Sequence, residues 1–344
     1  MTRLRVCALA ALASFASSVD APLLAQAPVI DLGTLGGPYA FATALNNHQQ
    51  VVGQSVDAAE TRLTAFLWED GAMRDLSTAA LHFDIANDIN DRGQIVGAGI
   101  ASDGRFVAAR WEDEVLAELP MPAGASSCSA EAINDHGDIV GFCDQQPGQW
   151  ATLWRRNGDV QGLGPTPDGW SAGPVDINER GVVFGAAIDA DGARHLWVWD
   201  DGVVTEVGNV PGGPVWLPTA FNNREQIVGW GGTPLATFAA LLDDGVVTAL
   251  PQAAGHTRSA AESINERGEI VGWHSIGSGP IAVIWANGQV RVLPSLPGAA
   301  SSIARDINDR GVAIGTFAPS PGGGTRALLW PKASTRIPPG RVDR

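Results

Sequence analysis

DINDRGQIVG at 88–97 and DINDRGVAIG at 306–315 are near copies of one another. The same phrase stands five times more: ALNNHQQVVG (44–53), AINDHGDIVG (132–141), DINERGVVFG (176–185), AFNNREQIVG (220–229) and SINERGEIVG (263–272). Their asparagines, Asn46, Asn90, Asn134, Asn178, Asn222, Asn265 and Asn308, recur every 43 or 44 residues. A fixed period of this size marks a repeat architecture in which each copy is one supersecondary unit.

Working outward, a second mark follows each asparagine by 20 to 22 residues: Trp68, Trp111, Trp154, Trp199, Leu242, Trp285 and Trp330. Asp-Gly or Asn-Gly usually comes next, as at Asp70-Gly71 and Asn287-Gly288. A third mark is a short apolar run ending in Leu-Pro, such as VLAELP (115–120), VTALP (247–251) and VRVLP (290–294). Each unit therefore reads as four short strands. Strand A ends in Ile-Asn, and an Asx turn closed by the Asn and a glycine leads to strand B. Strand C carries the Trp, and an Asp-Gly or Asn-Gly hairpin leads to strand D. No window shows a sustained 3.6 period, so helix is expected to be almost absent.

Seven units of four strands predict an all-β, seven-bladed β-propeller over residues 28–331. The repeat phase predicts how the ring closes. VIDLG (29–33) matches a strand D, whereas the last unit stops at strand C, LLWP (328–331). The N-terminal strand is therefore expected to complete blade 7 and leave no open edge.

Residues 1–27 read as a secretory signal, with Arg3 and Arg5 ahead of the apolar run 6–19. The cleavage point is Ala25-Gln26-Ala27 or Ser14-Phe15-Ala16. No later stretch is apolar enough to span a bilayer, so a secreted or periplasmic protein is expected. Residues 332–344 read as a disordered tail. In an oxidising compartment Cys128 and Cys143 are an even pair. With Asn134 and Gly137 flanking a two-residue turn, counting outward brings Cys128 opposite Cys143. That predicts a disulfide, which a one-residue bulge would disrupt. The 22 basic and 37 acidic residues, a net charge of −15, disfavour nucleic acid and anionic lipid as partners.

VIDLGTLGG, ALNNHQQVVGQS and TAFLWEDGAMRDL resemble the HAF-type extracellular repeat family of bacteria. That pattern joins an AFLW strand, an LGTLGG segment and an A..IN..G.IVG hairpin. The similarity covers about 28–331. The His that precedes Ala-Phe in many copies is replaced here by Thr64. The resemblance implies an exported repeat protein and brings no catalytic residues with it.

Side chains outside the repeat pattern are the candidates for function. Strands A and C run against B and D, so the D–A and B–C loops share one face. Trp170 and Trp216 fall in D–A loops, Trp150 near a B–C loop, and Trp230 and Trp273 directly after strand-B glycines. His256, Arg258 and His274 are near, and Tyr39 and Phe83 precede strand A in other blades. Trp197 also lies outside the repeat. An aromatic-rich face over blades 4 to 6 suits sugar rings or another amphipathic surface. The alternative is that the rings plug the channel mouth or pack under the loops. The candidate binding set is Trp170, Trp216, Trp230, Trp273, His256, Arg258 and Tyr39.

The seven asparagines are expected to stabilise their turns rather than to hold a ligand. Asp189-Ala190-Asp191-Gly192 begins like a calcium loop but lacks the distal Glu. Gly169-Trp170-Ser171-Ala172-Gly173 matches G-x-S-x-G, which carries meaning only between a strand and a helix. No HExxH, P-loop or paired CxxC occurs, so no cofactor and no metal is predicted. The expectation is a non-catalytic binding or scaffold module whose partner is a glycan or an extracellular protein. Rival readings are a glycan hydrolase or lyase with paired acids at the channel mouth, and a self-associating envelope protein.

Overall fold

The computed structural model describes residues 28–332 except 60–61, 146–147, 164–170, 189–193, 207–215, 234–235, 276, 278 and 320–322. The expected signal segment and tail lie outside these residues, apart from Lys332, as does Asp189–Gly192. The described chain forms seven four-stranded antiparallel sheets and no helix. The innermost strands are Gly36–Leu45, Leu81–Ile89, Ser127–Ile133, Ser171–Ile177, Trp216–Phe221, Arg258–Ile264 and Ala299–Ile307. Each touches the next, and the seventh touches the first, so they wall a central channel. This is the seven-bladed propeller that the repeat predicts.

Closure follows the repeat phase. Ile30–Asp31 pairs antiparallel with Arg326–Trp330, placing Ile30 opposite Leu329 and Asp31 opposite Leu328. Leu32 is buried just beyond the pair and its N–H donates to the Ala327 carbonyl at 3.0 Å.

The repeat marks each have a packing cause. Trp154, Trp285 and Trp330 are buried between blades, and their indole N–H groups donate to the carbonyls of Pro120, Pro251 and Pro294. Each of these prolines ends the Leu-Pro run of the preceding blade, so the second and third sequence marks meet across the blade boundary. The repeat glycine inside strand B sits beside a bulge in strand A. A Cβ built on Gly97 would lie 2.0 Å from the Ile85 carbonyl oxygen, closer than real Cβ atoms approach backbone.

The disulfide forms, with Cys128 directly opposite Cys143. Both steps of the register count differ from the sequence expectation. The turn is one residue longer, since Asn134 N–H pairs with the Asp138 carbonyl. Strand A then bulges between Ala130 and Ala132. The two offsets cancel. Cross-linking a loop of this length contributes roughly 3 kcal/mol.

Candidate functional site

The channel is built from four positions of strand A and the turn that follows it, counted from the repeat asparagine, and each position links neighbouring blades. Every asparagine Oδ1 accepts two backbone N–H groups of its own turn, as Asn90 does from Arg92 and Gln94 at 3.1 and 3.0 Å. Its Nδ2 then donates to the carbonyl of the next asparagine around the ring: Asn46 to Asn90, Asn90 to Asn134, Asn134 to Asn178, Asn222 to Asn265, Asn265 to Asn308 and Asn308 to Asn46. Asn178 is the exception; its Nδ2 is buried without a partner.

The residue after each asparagine forms a complete second ring. The N–H of Asn47 donates to Asp91, Asp91 to Asp135, Asp135 to Glu179, Glu179 to Asn223, Asn223 to Glu266, Glu266 to Asp309, and Asp309 back to Asn47. These side chains rim a mouth of about 210 Å³ on the turn face, floored by apolar residues such as Ile89 and Ile307. Burial, and then the neighbouring Asp135 carboxylate, push Glu179 above the usual range.

Two positions before the asparagine, blades 2, 4 and 7 carry Asp88, Asp176 and Asp306. Each accepts the N–H of its own neighbour, Ile89, Ile177 or Ile307, at 2.8 Å. Each also accepts the corresponding N–H of the next blade, from Ile133, Phe221 or Leu45. Ser263 donates to Asp306 from blade 6 at 2.7 Å. No two consecutive blades carry an Asp here, so three carboxylates serve six inward-facing amides. Desolvation raises all three, Asp88 to about 7 and Asp176 well above its ordinary value, with the other channel carboxylates adding to the rise in Asp88 and Asp176. At the bulge position Thr43, Asn87 and Thr219 reach a carbonyl of the next blade. Glu262 there pairs with Arg305 at 3.0 Å.

The opposite face carries the D–A linkers and B–C turns. Tyr39 and Arg258 are exposed there, and Trp230, Trp273 and His256 are half-buried. The Trp273 indole N–H donates to Glu262 at 3.0 Å, tying that ring to the channel wall. Trp216 opens the innermost strand of blade 5, but its side chain lies outside the described residues, as does the whole of Trp170. Phe83, Trp197 and His274 are buried rather than displayed. Ser171 begins a strand, not a strand-to-helix turn. Among the described residues, the exposed large apolar side chains at this face lie over blades 1 to 4: Tyr39 at 44%, Trp150 at 46%, and Leu63, Ile100, Phe106 and Ile188. Ile100 and Phe106 are cross-strand partners. Among the described residues no group of three or more His, Cys, Asp or Glu is placed to hold a metal ion, and no helix is long and apolar enough to cross a membrane.

Sequence reasoning did not single out the second ring or the three aspartates. Both carry a signal: an Asn, Asp or Glu follows every repeat asparagine, and Asp-Ile-Asn alternates with Ala or Ser at the same place.

No family model matches the chain, and no curated protein does. Among solved structures the chain is similar to the β-propeller domain of the Trilobed protease from Pyrococcus furiosus, with 10% identity, TM-score 0.60, and 85% of this chain and 94% of that one covered. It is also similar to an acylaminoacyl peptidase of Pyrococcus horikoshii, with 11% identity, TM-score 0.57, and 86% and 52% covered. A puromycin-hydrolyzing peptidase of Mycobacterium tuberculosis has 14% identity and TM-score 0.58, with 94% and 54% covered. The chain spans about half the length of those two peptidases. At such identities the likeness shows the fold alone.

Proposed function

We propose that this chain is an exported, non-catalytic binding module of the HAF-type repeat class, and that it recognises glycans or a protein surface through its D–A/B–C face. The observation that carries the reading is the set of exposed aromatic and aliphatic side chains on that face, Tyr39, Ile100, Phe106 and Trp150. Aromatic rings there offer stacking surfaces, and the disc behind them is rigid. The disulfide and the absence of a long apolar helix among the described residues are consistent with export.

The three buried channel aspartates are committed to the backbone rather than to a substrate. Both oxygens of Asp88, Asp176 and Asp306 accept backbone N–H groups, and their alternation around the ring follows the needs of the backbone. A catalytic acid pair would need oxygens left for substrate.

Glycan-array binding of the purified protein, beside a Trp150→Ala/Phe106→Ala variant, tests the proposal. Specific binding that the variant loses while its unfolding midpoint stays unchanged is the expected result. Binding of no glycan would leave a protein partner as the occupant of the face, and would remove carbohydrate recognition.

A further inference from the structure

At the seam between blades 5 and 6, the linker Leu250–Thr257 crosses over the two sheets. Ala253 N–H donates to Nδ1 of His274 at 3.1 Å. In the neutral ring that nitrogen is the acceptor, so the proton sits on Nε2. His274 is wholly buried, and its Nε2 has no partner. Burial and the neighbouring His256 push His274 down to about 4, which keeps it neutral. His256 lies at a ring-centroid distance of 5.5 Å, and its Nδ1 is 3.2 Å from the Ala254 carbonyl. A carbonyl only accepts, so in the neutral ring this Nδ1 carries the proton and Nε2 offers a lone pair. That Nε2 is also buried without a partner.

A third orphan lies on the facing blade. Ala239 of blade 5 is tied to Ser259 of blade 6 through the Ser259 Oγ at 2.9 Å. Ser259 stands opposite His274 in its own sheet, so both face blade 5. Thr237 is two residues from Ala239 on the same strand and shares its face by strand alternation. Its Oγ1 is buried and unpartnered. The seam thus holds one free N–H, one free lone pair and one hydroxyl.

We propose that the blade 5–blade 6 seam is a recognition pocket for a hydroxyl of a carbohydrate, formed by His256, His274 and Thr237 beneath the Ala253–His256 turn. A hydroxyl donates and accepts at once, which matches the two imidazoles together. A metal ion would need the lone pair of His274 Nε2, where the proton sits. An anion would meet the lone pair of His256. The turn is the entry: Gln252, Ala254 and Gly255 are exposed, and the Gln252 side chain reaches Ser259 at 3.3 Å. Trp230, half-buried, faces the same seam opposite Ala239. Bound water offers the same chemistry, so the test must separate the two sources.

The inference rests on the glycan reading above. The purified protein is titrated with D-glucose, D-galactose, D-mannose and N-acetylglucosamine while the imidazole Hε1 signals of His256 and His274 are followed by NMR. One of these sugars is expected to move both signals saturably, and Thr237→Val and His256→Phe to weaken that binding at least tenfold. Thr237→Val is close in shape to threonine, so a folded protein is expected, which circular dichroism checks. Imidazole signals that no sugar moves overturn the pocket and leave water as its occupant. If the glycan array is positive at the same time, recognition elsewhere on the face stands; if the array is also negative, the glycan reading falls with it.

Discussion

At the residue scale, the repeat asparagine does two jobs with one amide. Its oxygen closes the local turn, which any Asx turn does. Its nitrogen crosses to the next blade in six of the seven copies. Asn178 shows the two jobs separated, because it keeps the turn and lacks the crossing bond. Asn134→Asp keeps the turn oxygen but replaces the crossing donor with an acceptor facing the Asn178 carbonyl. It is expected to cost about 1–3 kcal/mol. Asn178→Asp loses no bond that Asn178 makes and is expected to cost clearly less. Urea midpoints of the two variants measure the difference; equal losses would show that the crossing bond contributes nothing.

At the element scale, the N-terminal strand is short but closes the ring. Only Ile30 and Asp31 pair, yet they cover the strand C edge of blade 7, and Leu32 packs beside Leu329 in one core cluster. Removing residues 28–33 exposes that edge and deletes the buried Leu32 side chain, a loss of about 2 kcal/mol from that side chain alone. Thermal unfolding is expected to shift to lower temperature. Size-exclusion chromatography is expected to show oligomers, since an unpaired edge is a template for strand addition. A monomer of unchanged stability would mean that closure is carried by the inner rings and not by this strand.

At the scale of the whole molecule, the channel couples the fold to pH. Asp88 has an ordinary value of 3.8 and is held up to about 7 by burial and then by Asp306; Asp176 and Asp306 are raised in the same way. Between the unfolded and folded values the native state binds more protons than the unfolded chain. Stability is therefore full below about pH 4 and falls as pH rises toward 7. One group contributes about 1.4 kcal/mol per unit of separation. His274, lowered from 6.5 to about 4 by burial and then by His256, acts in the opposite sense between those values, and so does Asp103 below its ordinary value; the three raised aspartates outnumber the single histidine. Urea midpoints from pH 4.5 to 7.5 are expected to descend, with a shallower slope for Asp88→Asn. A rising profile would contradict the burial of these carboxylates.

The blade count, the four-strand unit and the closing strand were legible in the order of residues, because repeat length, turn residues and strand phase are local properties. The disulfide was legible too, although by two offsetting register errors: the turn is closed by the Asn134–Asp138 backbone pair, and the bulge lies where Gly141 lets the Ser129 carbonyl crowd strand B. What tertiary structure alone decided is which polar groups meet across blades. Asp88 reads like any aspartate until the ring closes and brings the Ile133 amide to it. The display of side chains is of the same kind. Phe83 and Tyr39 read alike ahead of strand A, and only packing buries the first and exposes the second. Periodicity is written along the chain, whereas burial and partnership depend on residues about 44 or more positions away.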